Sequence, residues 1–146
     1  MTLIVVDGSV VPKWYVPEVQ DEFARRLLSP PFEMTAPSIL ASEFVNVALQ
    51  KFRRGLLSRS KADEMAAELP RLPVVLLDSI EFLPAAYVLA QAFHPSVYDC
   101  LYAALALSLG CQLVTADRPL YQALLRPFPE TMLWIEDIPE PPPSQT

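Results

Sequence analysis

The sequence predicts an α/β domain whose central, mostly parallel sheet is covered by helices on both faces. Three observations carry that reading. Short runs of branched apolar residues recur along the chain, beginning with Leu3 to Val6, which stops at Asp7 as a buried parallel strand does. Stretches with helical periodicity separate those runs, the alternation expected of a parallel sheet. The 146 residues are 52% hydrophobic and only 19% charged, enough to bury the core of one domain and too apolar for a disordered or collagen-like chain.

The elements follow in order. After the Leu3–Val6 strand, Val10 to Tyr15 reads as a short helix capped by Ser9. Pro17 to Leu28 reads as a second helix, with Val19, Phe23, Leu27 and Leu28 at helical spacing and Glu18, Asp21 and Glu22 in its early turns. Glu33 to Ala36 is a weaker strand. Pro37 to Arg54 is the clearest helix, built on Ile39, Leu40, Phe44, Val47, Ala48 and Phe52 and stopped by Gly55. Ser58 or Ser60 caps the next, with Asp63 and Glu64 in its first turn and Pro70 or Pro73 ending it.

Val74 to Leu77 is a third strand, and Asp78 or Ser79 caps a helix that ends near Phe93. Pro95 to Leu109 is apolar almost all round, hence a central helix, and Gly110 ends it. Gln112 to Thr115 is a strand, Pro119 to Leu125 a short helix, and Met132 to Ile135 a last strand. Residues 1–138 thus make one domain. Pro139, Pro141, Pro142 and Pro143 make residues 139–146 an extended tail outside the core.

Composition removes several function classes. With Gly8, Gly55 and Gly110 as its three glycines, the chain contains no glycine-rich phosphate loop. Cys100, Cys111 and His94 are too few for a disulfide framework or a cysteine-rich zinc site; both thiols read as buried and His94 as a loop residue. A net charge of −6 does not suit binding to nucleic acid through a broad basic face, so such a role needs a local basic patch or a metal. The start, Met1 to Asp7, has no basic region and only a short apolar run, unlike a signal peptide. The longest apolar stretch, Cys100 to Leu107, is far short of the roughly 20 residues of a membrane helix. The expected location is the cytoplasm.

Four acids need explaining. In parallel sheets ligands bind at the carboxyl ends of strands, where Asp7 and Asp117 fall. Glu43 and Asp99 lie inside helices with apolar neighbours. Each has an ordinary reading: loop start for Asp7, cap or dipole partner for Asp99, cap or Arg118 partner for Asp117. Glu43 resists one, because carboxylates are seldom buried without a partner. Carboxylates sharing one cleft repel one another unless a cation compensates. Hard oxygen donors without thiols or imidazoles select Mg²⁺ or Mn²⁺, and such an ion completes its shell with water and phosphate oxygens. That outlines a phosphodiester site. Ser9, Asn46 and Thr115 are candidate polar supports: Ser9 two residues after Asp7, Asn46 on the helical face of Glu43, and Thr115 within reach of Asp117 or Asp7. Local capping explains them equally well.

Val5-Val-Asp-Gly-Ser9, Ser42-Glu-Phe-Val-Asn-Val-Ala-Leu49, Ser96-Val-Tyr-Asp-Cys-Leu-Tyr-Ala-Ala-Leu-Ala106 and Leu113-Val-Thr-Ala-Asp-Arg118 together resemble the PIN-domain ribonucleases, above all VapC-type toxins of type II toxin–antitoxin pairs. The blocks fall in the family's order as far as about Ile138. The resemblance implies a three-layer α/β/α sandwich and an endoribonuclease that uses Mg²⁺ or Mn²⁺. It implies an acidic, metal-holding site of Asp7, Glu43, Asp99 and Asp117 supported by Ser9, Asn46 and Thr115, a homodimer, and a VapB-type antitoxin whose C-terminal segment covers the groove. Ser9 stands where many relatives have Thr or Ala. The cations Lys51, Arg53, Arg54, Arg59 and Lys61 offer a local RNA contact, although cations at a helix C terminus read first as a solvated helix end.

Three other readings compete with this one. A phospho-acceptor receiver-type domain shares the alternation and offers Asp78 as acceptor, but its first strand should end in a pair of acids and a lysine should follow a later strand. A dehalogenase-like phosphatase needs a second aspartate where Ser9 stands. A catalytically silent PIN fold that only binds a partner, through a surface such as Trp14, Tyr15 and Phe23, is the third alternative; aromatics at those spacings read first as core.

Overall fold

The computed structural model describes residues 1–143. Five strands, β1 (Thr2–Val6), β2 (Phe32–Pro37), β3 (Val74–Leu77), β4 (Gln112–Thr115) and β5 (Met132–Trp134), form one sheet in the order β3-β2-β1-β4-β5. All four pairings are parallel, with Val5 opposite Thr35 on one side and Leu113 on the other. Ile4, Val5 and Val6 are all buried, and successive strand residues face opposite ways, so β1 is covered on both faces. This is the three-layer α/β/α arrangement.

The helices are α1 (Asp21–Arg26), α2 (Ile39–Arg53), α3 (Arg59–Ala67), α4 (Leu83–Phe93), α5 (Val97–Leu109) and α6 (Arg118–Leu125). α5 is the central one: Cys100 to Ala106 are all buried, and it packs on β1, β2 and β4 with α4 beside it. From β1 the chain runs outward through β2 to β3, then returns across the sheet to β4. The strand order therefore reverses between β1 and β4, and a crevice opens at their carboxyl ends.

Several boundaries differ from the sequence reading. Val10 to Tyr15 yields only a 3-10 turn, Val11–Trp14, and Ser9 does not cap it because its hydroxyl is committed to Asp7 and to the Ala116 amide. The helix read over Pro17–Leu28 shrinks to α1. Buried Lys13 takes hold of the Val19 carbonyl at 2.8 Å and Glu18 at 3.2 Å, and Gln20 turns left-handed at φ 70°, leaving Val19 exposed. Pro37 closes β2 rather than opening α2. Ser58 rather than Ser60 caps α3, so Asp63 and Glu64 fall beyond its first turn. Asp78 bonds the Ile80 amide and starts a 3-10 turn, Ile80–Phe82, ahead of α4. Ile135 leaves β5 for another 3-10 turn, Ile135–Asp137. Residues 139–143 are exposed and form no helix or strand; the remaining residues of the proposed tail lie outside the described residues.

Trp14, Tyr15 and Phe23 pack against the core, as the ordinary reading expects: Trp14 Nε1 donates to the Ala24 carbonyl at 2.8 Å, and the Tyr15 and Phe44 rings meet edge to face. Cys100 is buried and Cys111 half-buried, both as free thiols. Among the described residues no helix is long and apolar enough to cross a membrane.

Candidate active site

Asp7 stands at the end of β1 inside the crevice and is almost wholly buried. Its Oδ2 accepts three hydrogen bonds: from the Ser9 hydroxyl, from the Ser9 amide at 3.2 Å, and from Thr115 Oγ1 at 3.1 Å. Ser9 in turn accepts from the Ala116 amide, and Thr115 from the Asp117 amide, both at 3.0 Å. Two hydroxyls thus bridge the carboxyl ends of β1 and β4. Thr115 satisfies both alternatives open to it in the sequence, reaching Asp7 and Asp117 at once. Asp7 Oδ1 takes no bond from the described residues and is left for a further partner.

Glu43 comes off α2, half-buried, and reaches over the chain at Gly8. A Cβ at Gly8 would collide with Glu43 Oε2 and stand 3.1 Å from the Tyr102 hydroxyl, so the close approach requires glycine. Asp99 sits in the first turn of α5, whose cap is Ser96, accepting from the Asp99 amide at 3.0 Å. Asp117 caps α6 by accepting from the Leu120 amide at 3.2 Å, so its ordinary reading holds as geometry. It also shares with Asp99 a cleft of about 170 Å³, beside His94 and Pro95.

Burial and mutual repulsion show in the proton affinities. Burial, and after it the charge of Asp99, raises Asp7 from an ordinary 3.8 to about 6 despite the opposing bonds from Ser9 and Thr115. Burial and then the charge of Asp7 raise Glu43 to about 7. Asp99 is raised as well, by burial and by Asp117. Tyr102 is held far above the usual tyrosine range by burial and by the charges of Glu43 and Asp7. None of the four acids forms an ion pair among the described residues.

A divalent cation fits this set. The donors are carboxylate oxygens, the charge is uncompensated, and Asp7 Oδ1 is available. Among the described residues no three His, Cys, Asp or Glu side chains stand close enough together to hold a metal by themselves. An ion that keeps most of its water and touches one or two carboxylates does not require such a cage.

Other candidates are placed elsewhere. Asn46 is exposed and lines a shallow groove with Val45, Leu49 and Leu69, without a hydrogen bond to the acids. Lys51 is drawn into an ion pair with Glu18 at 2.7 Å and is no longer free for RNA. Arg53 and Arg54 are exposed at the end of α2. Arg59 lies over the Phe52 ring at 5.5 Å, and Lys61 is 3.7 Å from Glu64. The cluster is largely the helix end that the ordinary reading described. Gly8 and Tyr102 stand beside Glu43 Oε2; both fall inside the sequence blocks quoted above, but neither was a candidate site residue, since a glycine and a tyrosine in those settings carry no chemical signal of their own. Ser96 left a signal, a serine three residues before an aspartate at a helix start.

Known proteins share this fold. The PIN domain family model matches residues 4–123. Ribonuclease VapC3 of Pyrobaculum aerophilum is 36% identical over 129 residues, which span 85% of this chain and 98% of that protein. The crystal structure of Mycobacterium tuberculosis VapC20, a sarcin-ricin loop cleaving toxin, superposes with a TM-score of 0.60 at 18% identity, over 82% of this chain and 94% of that one. A chain of Rickettsia felis VapBC2, bound to a DNA fragment from their promoter, gives 0.61 at 10% identity, over 91% and 98%. The two structures speak for the fold; the family model and the 36% identity speak for descent, and on them this chain belongs to the PIN-domain family.

Proposed function

We infer that this PIN domain is a metal-dependent endoribonuclease of the VapC type, hydrolysing RNA phosphodiester bonds as the toxin of a toxin–antitoxin pair. One observation carries the reading: a buried carboxylate, Asp7, and the half-buried Glu43 and Asp99 repel one another at the strand-order reversal, and among the described residues no cation pairs with them. That arrangement costs stability unless it serves a bound cation.

A bound Mg²⁺ or Mn²⁺ supplies a more acidic water and stabilises charge developing on phosphate. Asp7, whose Oδ1 takes no bond from the described residues, and Asp99 would be its principal holders, directly or through water. Ser9 and Thr115 fix Asp7 by taking Oδ2, so the carboxylate cannot rotate away. Glu43, whose Oε2 reaches over Gly8, would orient the attacking water and accept its proton. Asp117 faces Asp99 across the small cleft and completes the acidic ring. Exposed Arg53 and Arg54 are the cations left free to meet RNA.

A VapB-type antitoxin and a second copy of this chain are the proposed partners. For the second copy, Ile80, Leu83, Tyr87, Val88 and Tyr98 supply exposed apolar surface on and beside α4. The cytoplasm is the proposed site of action. Purified, antitoxin-free protein should cut RNA when Mg²⁺ or Mn²⁺ is added and stop when EDTA is added. Cleavage indifferent to EDTA would overturn the proposal.

A further inference from the structure

We propose that Tyr102 is a positioning residue that fixes the Glu43 carboxylate with a hydrogen bond donated by its hydroxyl, an inference that rests on the nuclease reading above. The Tyr102 side chain is fully buried, and its hydroxyl is one of two buried side-chain polar atoms without a hydrogen-bond partner among the described residues. Buried hydroxyls are nearly always paired, so an orphan marks a place where a partner arrives.

The geometry names that partner. The space beside the Gly8 Cα is bounded by the Tyr102 hydroxyl and by Glu43 Oε2, both close to the point a Cβ would occupy. Glycine keeps that space clear, so the two oxygens face one another across it. Asp7 Oδ2 already has three donors, and Asp99 lies one turn back on the same face of α5. Asp7 Oδ1 also lacks a donor, but it is Glu43 Oε2 that stands with the Tyr102 hydroxyl at the Gly8 Cβ position, and no other side chain donates to it among the described residues. Its carboxyl rides on a flexible stem, so a small rotation closes the bond. A fixed hydroxyl then removes much of the freedom that Glu43 would lose on meeting the ion and the water.

Tyr102→Phe removes one oxygen and leaves the ring in the core, which keeps the fold. In the metal-free full chain, the Tyr102 hydroxyl proton, identified in the NMR spectrum by its loss in Y102F, should exchange slowly with water and shift in Glu43→Ala. Mn²⁺ affinity, measured calorimetrically without RNA, should fall about tenfold in Y102F, the weight of one hydrogen bond to a charged group. On the Glu43→Ala background the same substitution should leave Mn²⁺ affinity unchanged. In cleavage, Y102F should lower kcat with KM for RNA unaltered. A hydroxyl proton indifferent to Glu43→Ala, or equal losses on both backgrounds, would overturn the role. A bonded hydroxyl in a protein that cuts no RNA would support it and overturn the nuclease reading instead. Cleavage and Mn²⁺ affinity untouched by Y102F would overturn the role and leave the nuclease standing.

Discussion

Asp7 takes all its hydrogen bonds on Oδ2, and this asymmetry makes its neighbours separable by substitution. Ser9→Ala deletes a donor to Asp7 and strands the Ala116 amide, so it should cost about 1–3 kcal/mol in urea unfolding and weaken Mn²⁺ binding together. Gly8→Ala should act through Glu43. Its new Cβ lands on Oε2, the far end of a flexible side chain, and displaces the carboxyl, lowering cleavage at least about tenfold at little cost in stability. Cleavage at the parental rate by Gly8→Ala would contradict the placement of Glu43. Asp7 and Asp117 are legible in the sequence because strand ends are short and marked, and Glu43 because a carboxylate stands out in an apolar helix. Asn46 shows the limit: helical spacing sets it near Glu43, yet it opens toward Val45, Leu49 and Leu69. Tyr102 was illegible, since a tyrosine in an apolar helix reads as core and its distance to Gly8 exists only after α5 crosses β1.

Among the elements, strands were read more accurately than helix starts. Val74–Leu77 and Gln112–Thr115 hold to the residue, since an apolar run ends where its sheet partner ends. The start of α1 was not legible, because it is set by a contact distant in sequence. Lys13 and Lys51 converge on Glu18 and hold the preceding segment out of the helix. Burial alone would raise Glu18, but the bonds from Lys51 and Lys13 outweigh it and keep the carboxyl below its ordinary range. A depressed carboxyl contributes stability above its unfolded value and loses it as pH falls through the folded one. Glu18→Gln should therefore cost about 1–3 kcal/mol at pH 7, and the gap should narrow as pH falls below the ordinary carboxylate range, measured by urea unfolding. Lys51→Ala should share the stability loss while leaving RNA cleavage in place, which separates it from the exposed Arg53 and Arg54.

The whole molecule carries the opposite pH signature at its candidate active site. Asp7, Glu43 and Asp99 are all raised, so the folded state holds protons that the unfolded chain releases. Stability from this cluster is full below the ordinary carboxylate range, about 4, and declines as pH climbs to about 6–7. The metal-free protein should melt higher at pH 5 than at pH 8, by about 2–8 °C. Saturating Mg²⁺ should raise the melting point at pH 8 and scarcely at pH 5, because only ionised acids bind it. Asp99→Asn should raise the metal-free melting point at pH 8 while abolishing the gain from Mg²⁺. The most direct test of the account is single-turnover cleavage of a defined RNA in ¹⁸O-labelled water, by the parent and by Asp99→Asn. The account predicts Mg²⁺-dependent cutting that places one ¹⁸O on the new terminal phosphate, at least about 100-fold slower in Asp99→Asn. A 2′,3′-cyclic phosphate end, or equal rates for the two proteins, would contradict it.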